Sequence, residues 1–304
     1  MTLKEIAQEA GVSISTVSRV VNKNSPGAAS KEVQDKIWEI VRRTGYTPNS
    51  TARTLKLGEH ETAQPSRSIA CMFARTEDIV TDQFFTSLSR SIEQEAFKRN
   101  YVLKYSFSAF DVSHSSTFRL IMDNHVDGVV ILGRCDKPLL KMLKQYFNNV
   151  VYTGLNSLNA KYDQIICDGH DAAKEAVEYL IQLGHKKIAY IGETQSENRY
   201  LGYCDALSAH RIPLQKTYTC NVHLSSESGY QGTKKLLEQG CDATAYFCAN
   251  DITAIGAMRA LQQSGYSIPG DVSVISIDDI DMAQYMTPML TTMHIPVEIG
   301  RAHV

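Results

Sequence analysis

The chain has 304 residues, 43% hydrophobic and 21% charged, with a net charge of −2; such values are ordinary for a globular protein and leave room for about two or three domains. No apolar run approaches the length of a membrane span, and the amino terminus, MTLKEIAQEAG, is charged almost at once, unlike a secretory leader. Charge is unevenly placed: residues 1–57 hold nine Lys/Arg against five Asp/Glu, and the remainder 22 against 28, so a small basic head suited to a polyanion precedes an acidic body that is not.

The head reads as three short helices. Thr2 and Glu5 form a capping box, after which Leu3, Ile6, Ala7 and Ala10 make one apolar stripe. Gly11 stops this helix, and Ser13 is the next N-cap. A second helix is expected over about Ile14 to Val21, with Val17, Val20 and Val21 turned toward Leu3 and Ile6. After the loop NKNSPGAAS, Ser30 opens a third helix whose inner face is Val33, Ile37, Ile40 and Val41, ending near Thr44–Gly45. Two helices joined by a tight glycine-containing turn and closed by a third make a helix-turn-helix. In this reading the valines are core and the small hydroxyls allow close approach to a duplex. Arg19 projects from the same face, where it can reach guanine O6 and N7. A plain three-helix bundle with a polar surface fits these residues equally well.

GYTPNSTARTLKLG follows. Pro48 ends the preceding structure, Asn49 or Ser50 can cap one or two further turns, and Leu55 has no core nearby; as a wedge in a minor groove it makes sense. The polar stretch EHETAQPSRS reads as a linker. Apolar strand-like runs (SIACMFA, YVLKYSF, DGVVILG, NVVYTG, KKIAYIG, TAYFCAN, DVSVISID) then alternate with amphipathic stretches at 84–99, 116–125, 139–147, 171–183, 228–238 and 252–264. Repeated strand–helix units make parallel sheets covered on both faces, here two Rossmann-like halves, with ligands expected beyond the carboxyl ends of strands. The seven cysteines form no C-x-x-C pair and most sit in apolar runs such as SIACMFA and TAYFCAN, so they are expected to be reduced, buried thiols rather than metal ligands. G-x-G-x-x-G after the first strand, Walker, G-x-S-x-G and H-E-x-x-H motifs are all absent. His185, in a turn before a strand, is expected to be structural. Neither an enzyme nor a cofactor or metal site is expected.

TLKEIAQEAGVSISTVSRVVN, GYTPNSTARTL, LGHKKIAYIG, ANDITAIGAMRAL, GDVSVISIDD and LTTMHIP, in this order along nearly the whole chain, resemble a LacI/GalR-family transcriptional regulator. The resemblance implies a helix-turn-helix domain at 1–47, a hinge helix and linker at 48–67, and a periplasmic-binding-protein-like body at 68–304. The body is expected to divide into a first subdomain of 68–154 plus 289–304 and a second of 155–288. It implies base reading by Ile14 and Ser15 with Arg19 one turn on, and backbone or neighbouring-base contacts from Thr16, Ser18 and Asn22 beside the cap Ser13. Leu3, Ser30, Tyr46 and Asn49 match phosphate-contacting or groove-lining positions. In the hinge, Ala52 lets two helices of a homodimer approach, Leu55 is the wedge, and Arg53 and Lys56 face phosphates. The loop at 22–30 is longer than the common family form, which leaves contacts from Pro26 to Ala29 unassigned.

For the body the resemblance implies an effector cleft between the subdomains. Phe84 and Phe85 would floor it, Arg199 would bind hydroxyl or carboxylate groups, and Asn250, Asp278 and Asp168 would supply further polar contacts beside Leu224 as a wall. Bland alternatives stand beside these: Asp251 and Asp279 as helix caps, Phe84 as core or dimer contact. The chain stops inside what the family continues as a helix and a further strand, so it looks truncated at its carboxyl end. The function implied is a cytoplasmic repressor of carbohydrate-utilisation genes that binds double-stranded operator DNA as a homodimer, without membrane attachment, under control of a small sugar. A purine or other non-sugar metabolite is the alternative effector. The HIP stretch and the opening of the hinge are similar to galactoside-responsive members. A transport-type sugar-binding protein would share the body, but the basic head and the missing leader argue against it.

Overall fold

The computed structural model describes residues 2–23, 29–44, 67–75, 83–110, 121, 124, 126–135, 139–141, 143, 147, 149–158 and 161–297. They fall into two compact units, Met1–Gln64 and Pro65–Val304.

In the first unit α1 (Leu3–Ala10), α2 (Ile14–Lys23) and α3 (Lys31–Thr44) close one small core. Thr2 Oγ1 accepts from Glu5 N and the Glu5 carboxylate accepts from Thr2 N, the expected capping box. Gly11 ends α1 with φ of 74°, the left-handed conformation that a Cβ disfavours. Ser30 caps α3 through Val33 N. Ile6, Ala7, Ala10, Val17, Val20, Ile37, Ile40 and Val41 are buried together, with Leu3, Val21 and Val33 half-buried against them.

The second unit holds two parallel five-stranded sheets. The first contains β1 (Arg67–Phe73), β2 (Tyr101–Ser108), β3 (Gly128–Leu132), β4 (Val150–Gly154) and β5 (Asp163–Ile166), in the order β2-β1-β3-β4-β5. The second contains β6 (Ile188–Gly192), β7 (Thr219–Asn221), β8 (Ala245–Cys248), β9 (Ser273–Asp278) and β10 (Thr291–His294), in the order β10-β9-β8-β6-β7. Both orders reverse at one place, between β1 and β3 and between β6 and β8, and such switch points are where open α/β sheets bind ligands. Among the described residues the unit's long helices are α4 (Gln83–Lys98), α5 (Gly169–Gln182), α6 (Asn198–Ala209), α7 (Ser226–Glu238) and α8 (Asp251–Gln263). Strands β6 and β8 are buried at every position, as parallel strands covered on both faces must be.

Two boundaries differ from expectation. β5 pairs with β4, so the first sheet runs past residue 154 to Ile166. β10 pairs with β9, so 291–294, expected in the first subdomain, belongs to the second sheet. The strands at β7 and β10 are not among the apolar runs because TCN and TTMH are short and mixed in polarity. Helix α6 lies outside the amphipathic stretches expected from the sequence. The hinge and linker at 48–66 lie outside the described residues, as does most of the helix expected at 116–125; of 139–147, Leu140, Leu143 and Phe147 are buried in the first sheet's core. All seven cysteines are free thiols, and burial pushes the Cys71 thiol up to about 11.

Candidate functional site

The head presents one small-polar face. Ser13 Oγ accepts from Thr16 N at 3.1 Å and shares hydrogen bonds with Ser15 Oγ and Thr16 Oγ1 at 2.7 and 2.9 Å. Ile14, Ser15 and Arg19 are exposed, Thr16 and Ser18 half-buried, while Val17 and Val20 turn inward. Arg19 lies along the helix, its Nε 3.4 Å from the Ser15 carbonyl oxygen. Leu3 is half-buried and Ser30 exposed. Asn22 falls in α2, its side chain outside the described residues, and Tyr46, Asn49, Ala52, Arg53, Leu55 and Lys56 lie outside them altogether.

In the body, a cleft of about 800 Å³ opens where the switch points of the two sheets face each other. From the first sheet come Arg75 after β1, Gly133 and Arg134 after β3, and Leu155 and Asn156 after β4, with Phe84 and Phe85 from the first turn of α4. The second sheet contributes Glu193 after β6, His223 and Leu224 after β7, Asn250 after β8 and Asp278 at the end of β9; Arg199 sits in the first turn of α6. The two phenylalanine rings meet edge to face, centroids 5.1 Å apart. Gly133 has φ of 85°, which favours glycine, and a Cβ there would lie 2.7 Å from the tip of the Phe85 ring, so a larger residue would push the ring from its place.

Arg199 is held from beneath. Its Nε donates to Glu197 Oε1 at 2.8 Å, Nη2 to Glu197 Oε2 at 3.1 Å and Nη1 to the Ala249 carbonyl at 2.8 Å. Burial works against both charges, but each supplies the other's compensation: the Arg199 charge and hydrogen bonds bring the Glu197 carboxyl down to about 2, and Glu197, with the Asp278 charge, keeps the guanidinium above its ordinary pKa. Asn156 donates to Glu197 at 3.4 Å and accepts from Asn198 N at 2.8 Å, which ties the β4 loop to the start of α6.

Asn250 lines the cleft and also caps α8, its Oδ1 accepting from Thr253 N at 3.1 Å; the amide NH2 is the group it can offer a ligand. Asp251 is buried. It accepts from Ser276 Oγ, Thr292 Oγ1 and Ile280 N at 2.6, 2.6 and 2.9 Å, pinning α8 to β9 and β10. Burial raises its pKa against those three bonds. Asp278 and Asp279 both take positive φ, 137° and 56°, a turn costing about 1–3 kcal/mol per non-glycine residue. Asp278 lines the cleft, while Asp279 accepts from His294 Nδ1 at 2.8 Å.

Six residues expected at the effector site therefore meet in one cleft: Phe84, Phe85, Arg199, Leu224, Asn250 and Asp278. Asp168 does not join them. Its carboxylate accepts from His170 N and Asp171 N at 2.9 and 3.3 Å and caps α5, which accounts for an acid at that position. His185 bridges Thr244 Oγ1 and Ser273 Oγ at 2.9 and 3.0 Å, the structural part expected of it.

Residues 2–49 match the family model of bacterial regulatory proteins, lacI family, and 177–304 match that of the periplasmic binding protein-like domain. The chain is similar to the probable HTH-type transcriptional repressor ExuR of Bacillus subtilis, 32% identical over 98% of this chain and 87% of that one. It is also similar to the ribose operon repressor of Haemophilus influenzae, 32% identical over 100% of this chain and 90% of that one. The chain belongs to the LacI family. Its LacI-family relatives are DNA-binding transcriptional repressors, not enzymes. Two solved LacI-family structures share the fold. One is a complex of the transcriptional regulator CelR with cellobiose (TM-score 0.69, 26% identity, 98% of this chain and 89% of that one). The other is the Lac repressor dimer bound to operator and the anti-inducer ONPF (TM-score 0.67, 26% identity, 98% and 88%). Among the described residues no helix is long and apolar enough to cross a membrane.

The LacI-family motifs led to six cleft residues but passed over Arg75, Arg134, Asn156 and Glu193. A signal was available for three of them. Arg75, Arg134 and Glu193 stand directly after the apolar runs SIACMFA, DGVVILG and KKIAYIG, where a parallel strand hands its chain to the ligand side. Asn156 carries no comparable mark.

Proposed function

We propose that this LacI-family member is a homodimeric repressor that reads a pseudo-palindromic operator and is controlled by a small sugar held in the cleft. Each head lays α2 in the major groove, where Arg19 reads guanine and Ile14 and Ser15 meet neighbouring base edges. The hinge around Leu55 wedges open a step of the minor groove, and Arg53 and Lys56 position on phosphates. Such a protein works in the bacterial cytoplasm and associates with the nucleoid when bound.

One observation carries the reading. A helix-turn-helix head precedes a body in which two switch points face each other across a polar cleft with an aromatic floor. Asp278, Asn250 and Arg199, spread over separate elements, offer acceptors and donors in the scattered pattern that a polyol's hydroxyls need, over a floor made by Phe84 and Phe85. The test is selection of duplexes from a random pool by the full chain, followed by sequencing. Enrichment of two related, inverted half-sites is expected; a pool that stays random would refute sequence-specific reading.

A further inference from the structure

One end of the cleft carries charge that a neutral sugar leaves unused. Arg75 and Arg134 leave the carboxyl ends of neighbouring strands β1 and β3. Both guanidiniums converge on a single carboxylate, Glu193, supplied by the other sheet, Arg134 at 2.5 Å. Two cations on one anion leave positive charge at this end, and His223 Nδ1 lies 3.6 Å from the same carboxylate. Arg199 adds nothing to the surplus, because Glu197 holds its guanidinium by two hydrogen bonds. Asp278 stands on β9, two places from β6 in the sheet order, which sets the backbones of the two strands roughly 10 Å apart at about 4.8 Å per strand. The cleft is therefore polarised, acid on the β9 side and surplus cation on the side of β1 and β3.

The side chains of Arg75, Arg134 and Glu193 are 19%, 23% and 14% exposed, so they are open to the cleft yet sheltered from bulk solvent. Guanidinium pairs are the preferred receptors for carboxylate and phosphate. We infer that the effector is an acidic sugar, bearing a carboxylate or a phosphate, whose anion takes Arg75 and Arg134 in place of Glu193. This rests on the reading of the cleft as the effector site. Glu193 fills the anion position from the opposite sheet, so displacing it exchanges a direct tie between the sheets for one made through the ligand. That gives the ligand differential contacts in two states, as a switch requires.

The test is calorimetric titration of the full chain, at constant ionic strength, with matched probes: glucuronate against glucose, galacturonate against galactose, glucose 6-phosphate against glucose, and inorganic phosphate alone. At least one acidic sugar should bind about tenfold or more tighter than its neutral partner. Arg134→Gln should weaken that probe about tenfold or more, whereas Glu193→Gln, which removes the internal competitor, should strengthen it. Opposite signs separate the mechanism from general damage to the cleft. Binding confined to the hexuronates assigns a carboxylate, and binding confined to glucose 6-phosphate assigns a phosphate. Inorganic phosphate binding as tightly as glucose 6-phosphate would overturn the sugar half of the inference. If neutral sugars bind as tightly as acidic ones, or Glu193→Gln weakens the acidic probe, the acidic assignment falls while the effector cleft stands. If none of the probes binds, both fall.

Discussion

Glu197 grips Arg199 with two parallel hydrogen bonds of 2.8 and 3.1 Å, and the two side chains are 0% and 5% exposed. Neither charge is tolerable there alone. Glu197 also caps α6 through Arg199 N, so the pair fixes both the helix and the guanidinium that faces the cleft. Glu197→Ala should therefore cost about 3–5 kcal/mol, the range for stranding a buried charge. Urea unfolding of the two proteins checks it, and a loss under about 1 kcal/mol would mean that the guanidinium finds water on removal of its partner.

The same pair sets a pH dependence. The Glu197 carboxyl lies at about 2 when folded against 4.5 ordinarily, so its contribution is complete above about pH 4.5 and is lost as the pH falls toward 2. Asp251, whose pKa burial raises, acts in the opposite sense and gains stability as acid protonates it. Whole-protein curves mix the two. The stability gap between wild type and Glu197→Gln, measured by urea unfolding from pH 7 downward, isolates Glu197: it should be constant near neutrality and shrink below about pH 4.5. A gap that stays constant to pH 3 would show that the carboxylate is not stabilised by folding.

Helices α7 and α8 cross without room for a methyl group. A Cβ on Gly256 would lie 1.9 Å from the Ser226 carbonyl oxygen, and one on Gly229 would lie 2.2 Å from that of Thr253. Gly256→Ala should destabilise the body by about 1–3 kcal/mol or more, because backbone rather than a movable side chain must give way. Thermal unfolding of the variant measures this; an unchanged or raised midpoint would show that the crossing relaxes.

Two head and hinge variants separate reading from positioning. Arg19→Ala should cost about 1–3 kcal/mol on the selected duplex and relax its sequence preference. Lys56→Ala should weaken specific and random duplexes alike and flatten the salt dependence. Anisotropy titrations on both duplexes at two salt concentrations decide; equal losses for Arg19→Ala on both would remove it from base reading.

Much of this was legible in the residues. The capping box at Thr2 and Glu5, the stop at Gly11 and the valine stripe act within a few residues of themselves, so local rules found them. The long strands β6 and β8 announced themselves as continuous apolar runs. Strands β7 and β10 did not, because three or four residues of mixed polarity become strands only when a neighbouring sheet edge pairs with them. Asp168 looked like a ligand group for want of a way to tell a strand-end acid from a helix cap. Glu193 shows the deeper limit: its meaning lies in Arg75 and Arg134, more than fifty residues away and on another sheet.

The claim at the centre is that occupancy of the cleft controls the head's grip on DNA. The most direct measurement is the affinity of the full chain for its selected duplex, by fluorescence anisotropy, with and without a saturating sugar from the matched series. Coupling of the usual size, about 1–3 kcal/mol, predicts a change of roughly 5- to 150-fold. An affinity that stays the same while the cleft is demonstrably filled would contradict the account.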